Sequence, residues 1–196
     1  MHHKNDEFED YLLKHNILGI TSLETLYNLE NDITYQKSLI LKKNPIKGEF
    51  DYAHLKKIHR FLFEDIYDFA GMDRFELGLE YFGKGNSKFI LGSEIPKWEK
   101  IIFDELQEKN YLLELNHQEF YEELAALFAN INALHPFREG NGRTQRVFIM
   151  QLANKAGYDI DFTKVSQLES ITAAKDGMFN NLKKMENIFE KIIVKV

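Results

Sequence analysis

The chain has 196 residues, enough for one domain, spanning 1–196, with a substantial buried core, and its 44% hydrophobic and 29% charged residues are those of an ordinary globular protein. A formal net charge of −6 argues against a broad nucleic-acid surface, because phosphate backbones need a basic field. The absence of cysteine excludes a disulfide framework and a cysteine-ligated metal, and suits a reducing compartment such as the cytoplasm. No run of about 18 apolar residues predicts a transmembrane helix, and Met1 to Asp6 lacks the apolar stretch of a signal peptide.

Taken in chain order, most of the sequence predicts helix. Thr21 with Glu24 makes a capping box ahead of a long helix over 22–43, which Asn44-Pro45 stops. A second helix starts near Asp51, with Leu55, Ile58, Leu62, Ile66 and Phe69 at helical spacing and Gly71 as its C′ residue. Residues 72–92 hold four glycines and short apolar pieces either side of Gly83-Lys84-Gly85-Asn86, which predicts a loop and a small β-hairpin. Helix resumes near Glu94, with Pro96 in the first turn and Ile95, Trp98, Ile102 and Leu106 on one face. Asn116 and Glu119 cap the next helix, whose apolar residues are Phe120, Leu124, Leu127, Phe128 and Ile131. That helix has to end at His135, since Pro136 drives the residue before it out of the α region. A helix from about Gly142 to Lys155 is apolar almost all round and belongs in the middle of a bundle. Two more helices, broken near Gly177, complete an all-α chain.

The segment His135-Pro136-Phe137-Arg138-Glu139-Gly140-Asn141-Gly142-Arg143-Thr144-Gln145-Arg146 concentrates unusual residues between two buried helices. Gly140, Asn141 and Gly142 open a helix, where two glycines and the free N–H groups of the first turn suit a phosphate. Arg143 and Arg146 share a face of that first turn. The helix dipole disfavours two cations there unless a polyphosphate docks at the same end, and guanidinium groups match phosphate oxygens as a fork. Glu139 puts one carboxylate beside the nest, the usual protein share in holding Mg²⁺ against substrate phosphates. Histidine is the side chain suited to proton transfer near neutral pH, which makes His135 the candidate general base. Asn132, one turn earlier, could orient it or meet a ligand, and Phe137 is the apolar anchor of the loop. Singly, each residue has an ordinary structural explanation; gathered in one loop they point to nucleotide chemistry.

The same segment resembles the motif of Fic-domain proteins, His-Pro-Phe-x-x-Gly-Asn-Gly-Arg-x-x-Arg with an acidic residue before the first glycine, and departs from it at no defining position. Residues 55–63 and 66–71 resemble the family's second conserved helix, and the hairpin around 84–89 resembles its flap. The similarity covers roughly residues 50–164, with helical additions on both sides. The resemblance implies a helical bundle with a small β-hairpin flap, and transfer of AMP from ATP to a Tyr, Thr or Ser hydroxyl of a target protein with release of pyrophosphate. It implies that His135 deprotonates the hydroxyl, that Glu139 holds Mg²⁺ between phosphates, and that Gly140, Asn141 and Gly142 cradle phosphate oxygens. It implies further that Arg143 and Arg146 meet the outer phosphates, with Lys84 and Gly85 contributing to the nucleotide site. Lys88 and Phe89 would lie on the flap's target-docking side, where an extended segment could add as a strand.

Many Fic proteins are restrained by a helix bearing Ser/Thr-x-x-x-Glu-Gly/Asn, whose Glu pairs with the motif's second arginine. Only near misses occur here: Leu26 before Glu30-Asn31, Leu182 before Glu186-Asn187, and Thr172 before Asp176-Gly177. The resemblance therefore suggests a separate small antitoxin supplying a Glu to Arg146, and a topoisomerase subunit as a target class. Transfer of phosphate is disfavoured by Gly142, since the phosphorylating branch carries Lys there. Transfer of UMP or phosphocholine, or a non-catalytic nucleotide-binding module, are the alternatives; an intact His135 argues against the last.

Overall fold

The computed structural model describes residues 3–81, 83, 84 and 87–196. Eight α-helices carry it: α1 His3–His15, α2 Leu23–Lys43, α3 Tyr52–Phe63, α4 Ile95–Glu108, α5 His117–Leu134, α6 Asn141–Lys155, α7 Gln167–Gly177 and α8 Lys183–Ile192. Two small antiparallel pairs accompany them. Strands β1 (Gly83–Lys84) and β2 (Ser87–Lys88) form the expected hairpin, while β3 (Tyr158–Ile160) and β4 (Ile193–Lys195) clip the segment after α6 to the C-terminus.

Helices α5 and α6 form the centre. α6 packs against α2, α3 and α5, and α5 packs against α4, α7 and α8. One continuous apolar core runs from Leu12 to Ile193. Phe148, Ile149, Leu152 and Ala153 of α6 are fully buried, as the all-round apolar pattern requires. Among the described residues no helix is long and apolar enough to cross a membrane.

Capping chemistry explains most helix starts. Asp51, Asn116 and Ser166 each accept a backbone N–H of the first turn, and Asn116–Glu119 and Ser166–Glu169 are complete capping boxes. The start of α2 departs from the sequence expectation: Ser22, not Thr21, is the N-cap, accepting from the N–H of Thr25. The second helix is also shorter than its periodicity suggests. α3 ends at Phe63, and Ile66 and Phe69 are buried from a run of turns rather than from a helix. Periodic apolar spacing registers burial, and here a turn buries the same face. Trp98 of α4 is the other exception: it is 36% exposed, and Phe103 takes its place in the core.

Candidate functional site

The loop between α5 and α6 is built on two residues with left-handed backbone. His135 ends α5 at φ 43, ψ 58, an uncommon conformation for a residue with a Cβ, costing about 1 kcal/mol or more. Arg74, fully buried, sustains it. Its Nε–H donates to the His135 carbonyl at 2.9 Å, and its Nη2 donates to the carbonyls of Ile90 at 2.6 Å and Leu134 at 3.2 Å. The backbone N–H of Arg74 donates to the carbonyl of Pro136 at 2.7 Å. A single cation thus serves the orphan carbonyls at the end of α5 and ties them to the segment that follows β2.

That segment is fastened a second time by the N–H of Ile90 donating to the carbonyl of Ala133 at 3.1 Å. Phe89 is thereby brought against the expected general base: the Phe89 and His135 rings stack with centroids 3.7 Å apart and planes 17° from parallel. Lys84 and Lys88 lie on the two hairpin strands, described by their backbone, and Gly85 lies outside the described residues. Asn132 is half-buried on α5, one turn before His135.

Gly140 is the second left-handed residue, at φ 78, and it has no room for a side chain: a Cβ there would meet the Phe63 ring at 2.1 Å. It stands where α2, α3, α5 and α7 carry a capping side chain, and α6 has no side-chain cap. The first N–H groups of α6 therefore keep the orphan state that favours an anion. The Asn141 side chain is used inside the loop, its Oδ1 accepting from the Phe137 N–H at 2.8 Å and its Nδ2 donating to the Phe137 carbonyl at 2.6 Å. Gly142 differs from Gly140: a Cβ there would only touch Arg146 Nη2 at 3.6 Å, an ordinary contact.

Phe137 is the buried anchor, and its ring lies flat on His59 at 3.9 Å and 8°. His59 also stacks on Phe63 at 4.8 Å. Its Nδ1 accepts from the Gly71 N–H at 2.8 Å, so its Nε2 carries the proton and donates to the Glu139 carbonyl at 3.1 Å. Burial, against that hydrogen bond, pulls the His59 pKa down to about 3 and keeps the ring neutral.

Glu139 Oε1 accepts from the Gly140 N–H at 2.7 Å and from Arg143 Nη2 at 3.2 Å, and its Oε2 takes no hydrogen bond among the described residues. No cluster of three or more metal-ligating side chains occurs among them. A single carboxylate with a spare oxygen beside an uncapped helix start fits a cation bound mainly by substrate phosphates. Arg146 is exposed, with Nε–H donating to the carbonyl of Gly142 at 3.1 Å. Partial desolvation, then the charge of Arg143, lowers its pKa from the ordinary arginine value, though a guanidinium stays protonated throughout. Two adjacent cations at the positive end of a helix are stabilised by an anion placed between them.

Sequence reasoning did not single out His59, which lies in the 55–63 segment resembling the family's second conserved helix, or Arg74, which lies in the stretch 72–92 expected to be loop and hairpin. It weighed Glu30 only as a near miss to the inhibitory motif, and did not single out Thr34 or Tyr67. Glu30 of α2 is buried and pairs with Arg143, not with Arg146. The other near misses lie elsewhere in pairs of their own, Asp176 with Lys184 at 2.9 Å and Glu186 with Lys183 at 3.3 Å. A cavity of about 440 Å³ between Leu41, Phe50, Met150 and Gln151 lies toward the far end of α6 and contains none of the loop residues. The site is defined by the loop's geometry, not by that cavity.

Residues 49–153 match the family described as the Fic/DOC family. The chain is 40% identical over 167 residues to protein adenylyltransferase VbhT of Bartonella schoenbuchensis, covering 85% of this chain and 34% of that protein's length. It is 34% identical over 179 residues to the probable protein adenylyltransferase Fic of Salmonella typhimurium, covering 91% of this chain and 86% of that one. Among solved structures, BepC of Bartonella tribocorum with bound AMPPNP superposes with a TM-score of 0.87 at 31% identity, over 92% of both chains. The N-terminal Fic domain of a Bartonella quintana effector with bound ADP superposes with a TM-score of 0.85 at 33% identity, over 92% of this chain and 90% of that one.

Proposed function

Because the chain belongs to the Fic/DOC family, we propose that it is a protein adenylyltransferase that moves AMP from ATP to a hydroxyl of a target protein. The observation that carries the proposal is the uncapped start of α6, with Arg143 on its first turn, Arg146 on its second, and His135 at the other end of the same short loop. The polyphosphate docks on the N–H groups of Asn141, Gly142 and Arg143, and the two guanidinium groups neutralise its outer phosphates. His135 takes the proton of the target's Ser, Thr or Tyr hydroxyl, whose oxygen attacks the α-phosphorus. The new bond is oxygen to α-phosphorus, the bond broken is that from the α-phosphorus to the bridging oxygen, and pyrophosphate leaves. Positioning and charge neutralisation supply most of the acceleration in such transfers. Glu139 would hold Mg²⁺ through its spare oxygen, and the ion would supply further neutralisation of phosphate charge.

The names of the curated relatives support adenylylation, and the bound nucleotides of the two Bartonella structures support an adenine nucleotide as the donor. The target docks at the hairpin, with Phe89 over His135 at the join between flap and loop. A topoisomerase subunit is the target class to examine first. The lack of a carboxylate partner for Arg146 among the described residues supports an inhibitor that supplies a Glu from a separate small protein, and the absence of cysteine suits a cytoplasmic setting.

The test is label transfer with Mg²⁺ in a lysate, using ATP labelled at the α- or the γ-phosphate. A protein band labelled from the α-position alone is expected. Label from the γ-position would mean phosphorylation and contradict the proposal.

A further inference from the structure

Arg143 is held far more firmly than a phosphate-binding cation on a helix surface needs to be. Its Nη2 donates to Glu30 Oε1 and to Glu139 Oε1, its Nη1 donates to Thr34 Oγ1 at 3.2 Å and to Asn31 Oδ1 at 3.4 Å, and its guanidinium lies over the Phe63 ring at 5.0 Å. Three of these partners come from one stretch of α2, at spacing that puts Glu30 and Thr34 on one helix face and Asn31 beside them.

The α2 partners are themselves fixed. Glu30 is 2% exposed, and its second oxygen accepts from the Tyr67 hydroxyl. Thr34 is 1% exposed, and its hydroxyl donates to the Glu30 carbonyl at 2.7 Å, leaving an oxygen lone pair for Arg143. A carboxylate buried this deeply is costly unless paired and hydrogen-bonded, and here both oxygens are engaged. Burial nonetheless holds the Glu30 pKa above the ordinary glutamate value, against the Arg143 charge and both hydrogen bonds. Bulk stability alone would be served as well by an apolar side chain at this position. The retained pair has a geometric consequence: it fixes the direction of a planar fork.

We propose that Glu30, backed by Tyr67 and Thr34, is a positioning residue for Arg143, holding that guanidinium where the outer phosphates of the nucleotide arrive. Glu30 reaches the nucleotide only through Arg143. The proposal rests on the nucleotide-transfer function above, and makes α2, outside the 49–153 segment that matches the family, part of the active site.

The experiment is a double-mutant cycle on the full chain: wild type, Glu30→Gln, Arg143→Ala and the double variant, with MgATP affinity measured by calorimetry and kcat and KM by label transfer. Glu30→Gln is expected to weaken MgATP binding and raise KM roughly tenfold, within the range of coupled network residues. In the Arg143→Ala background the same change should add no more than about twofold. Effects that multiply in the double variant would assign Glu30 a purely structural role and overturn the proposal. Tighter MgATP binding in Glu30→Gln would overturn it too, since Glu30 would then compete with the phosphates for Arg143. Thr34→Val, nearly isosteric, covers the case in which Glu30→Gln does not fold, and should raise KM about threefold through the loss of the hydrogen bond from Arg143. A wild type that binds MgATP but transfers no label would defeat AMP transfer while leaving the affinity cycle to decide on Glu30. A wild type that binds no MgATP would overturn both.

Discussion

Two glycines two residues apart do different jobs. Gly140 is required by the protein, because its backbone is left-handed and the Phe63 ring fills the space a side chain would need. Gly142 meets no such obstacle, so its lack of a side chain serves whatever approaches the start of α6. Gly140→Ala is expected to destabilise the fold by at least about 2 kcal/mol, seen as a lowered Tm. Gly142→Ala should leave stability within about 1 kcal/mol and weaken MgATP binding about tenfold, as a methyl group intruding on a packed contact would. Unchanged affinity in folded Gly142→Ala would remove the phosphate from the start of α6. Both glycines are visible in the sequence, but which one the fold needs and which one the ligand needs is not, because the Phe63 ring arrives from α3, far away in the chain.

Among elements, α3 is tied to the loop by a neutral histidine. His59 accepts from Gly71 and donates to the Glu139 carbonyl while stacked on Phe137. Its folded pKa, about 3, lies below the ordinary histidine value of 6.5, so the unfolded chain binds more protons than the native one between those two values. The resulting stability is complete above about pH 6.5 and is lost as the pH falls toward 3, by roughly 1.4 kcal/mol per pH unit. Urea unfolding of wild type between pH 7 and 4.5 should show that slope, and His59→Asn should be less stable at pH 7 but lose less on acidification. An equal slope in both proteins would contradict a neutral, buried His59.

The elements were legible where their signals are local. The capping box at Asn116–Glu119, the break at His135-Pro136 and the hairpin between glycines all follow from neighbouring residues. The end of α3 at Phe63 was not, since Ile66 and Phe69 continue the apolar period without continuing the helix. The β3–β4 pair was not either, because Tyr158 and Lys195 meet only when the fold closes. The motif itself was fully readable, yet its supports, Glu30, His59 and Arg74, are ordinary residues until the fold brings them beside it.

At the scale of the molecule, an acidic chain concentrates two arginines at the positive end of one buried helix, with the sole loop carboxylate and a histidine alongside. Glu30 and Glu139 offset the charge of Arg143, whereas Arg146 has no carboxylate partner among the described residues, so a polyanion docked there is stabilised. Helices α5 and α6 are the most deeply packed elements, so the loop between them is held by rigid walls, and α2, α3 and the hairpin contribute its supports. In the proposed mechanism, holding the nucleotide falls to α6 and activating the hydroxyl falls to the end of α5. The most direct test of that separation is the transfer rate of His135→Ala at saturating MgATP, with nucleotide affinity measured on the same preparation. A fall in transfer of about a hundredfold or more, the usual share of a general base, with affinity within about threefold of wild type, is the result expected. Transfer at the wild-type rate in a variant that still binds MgATP would contradict the assignment of His135 and, with it, the proposed chemistry.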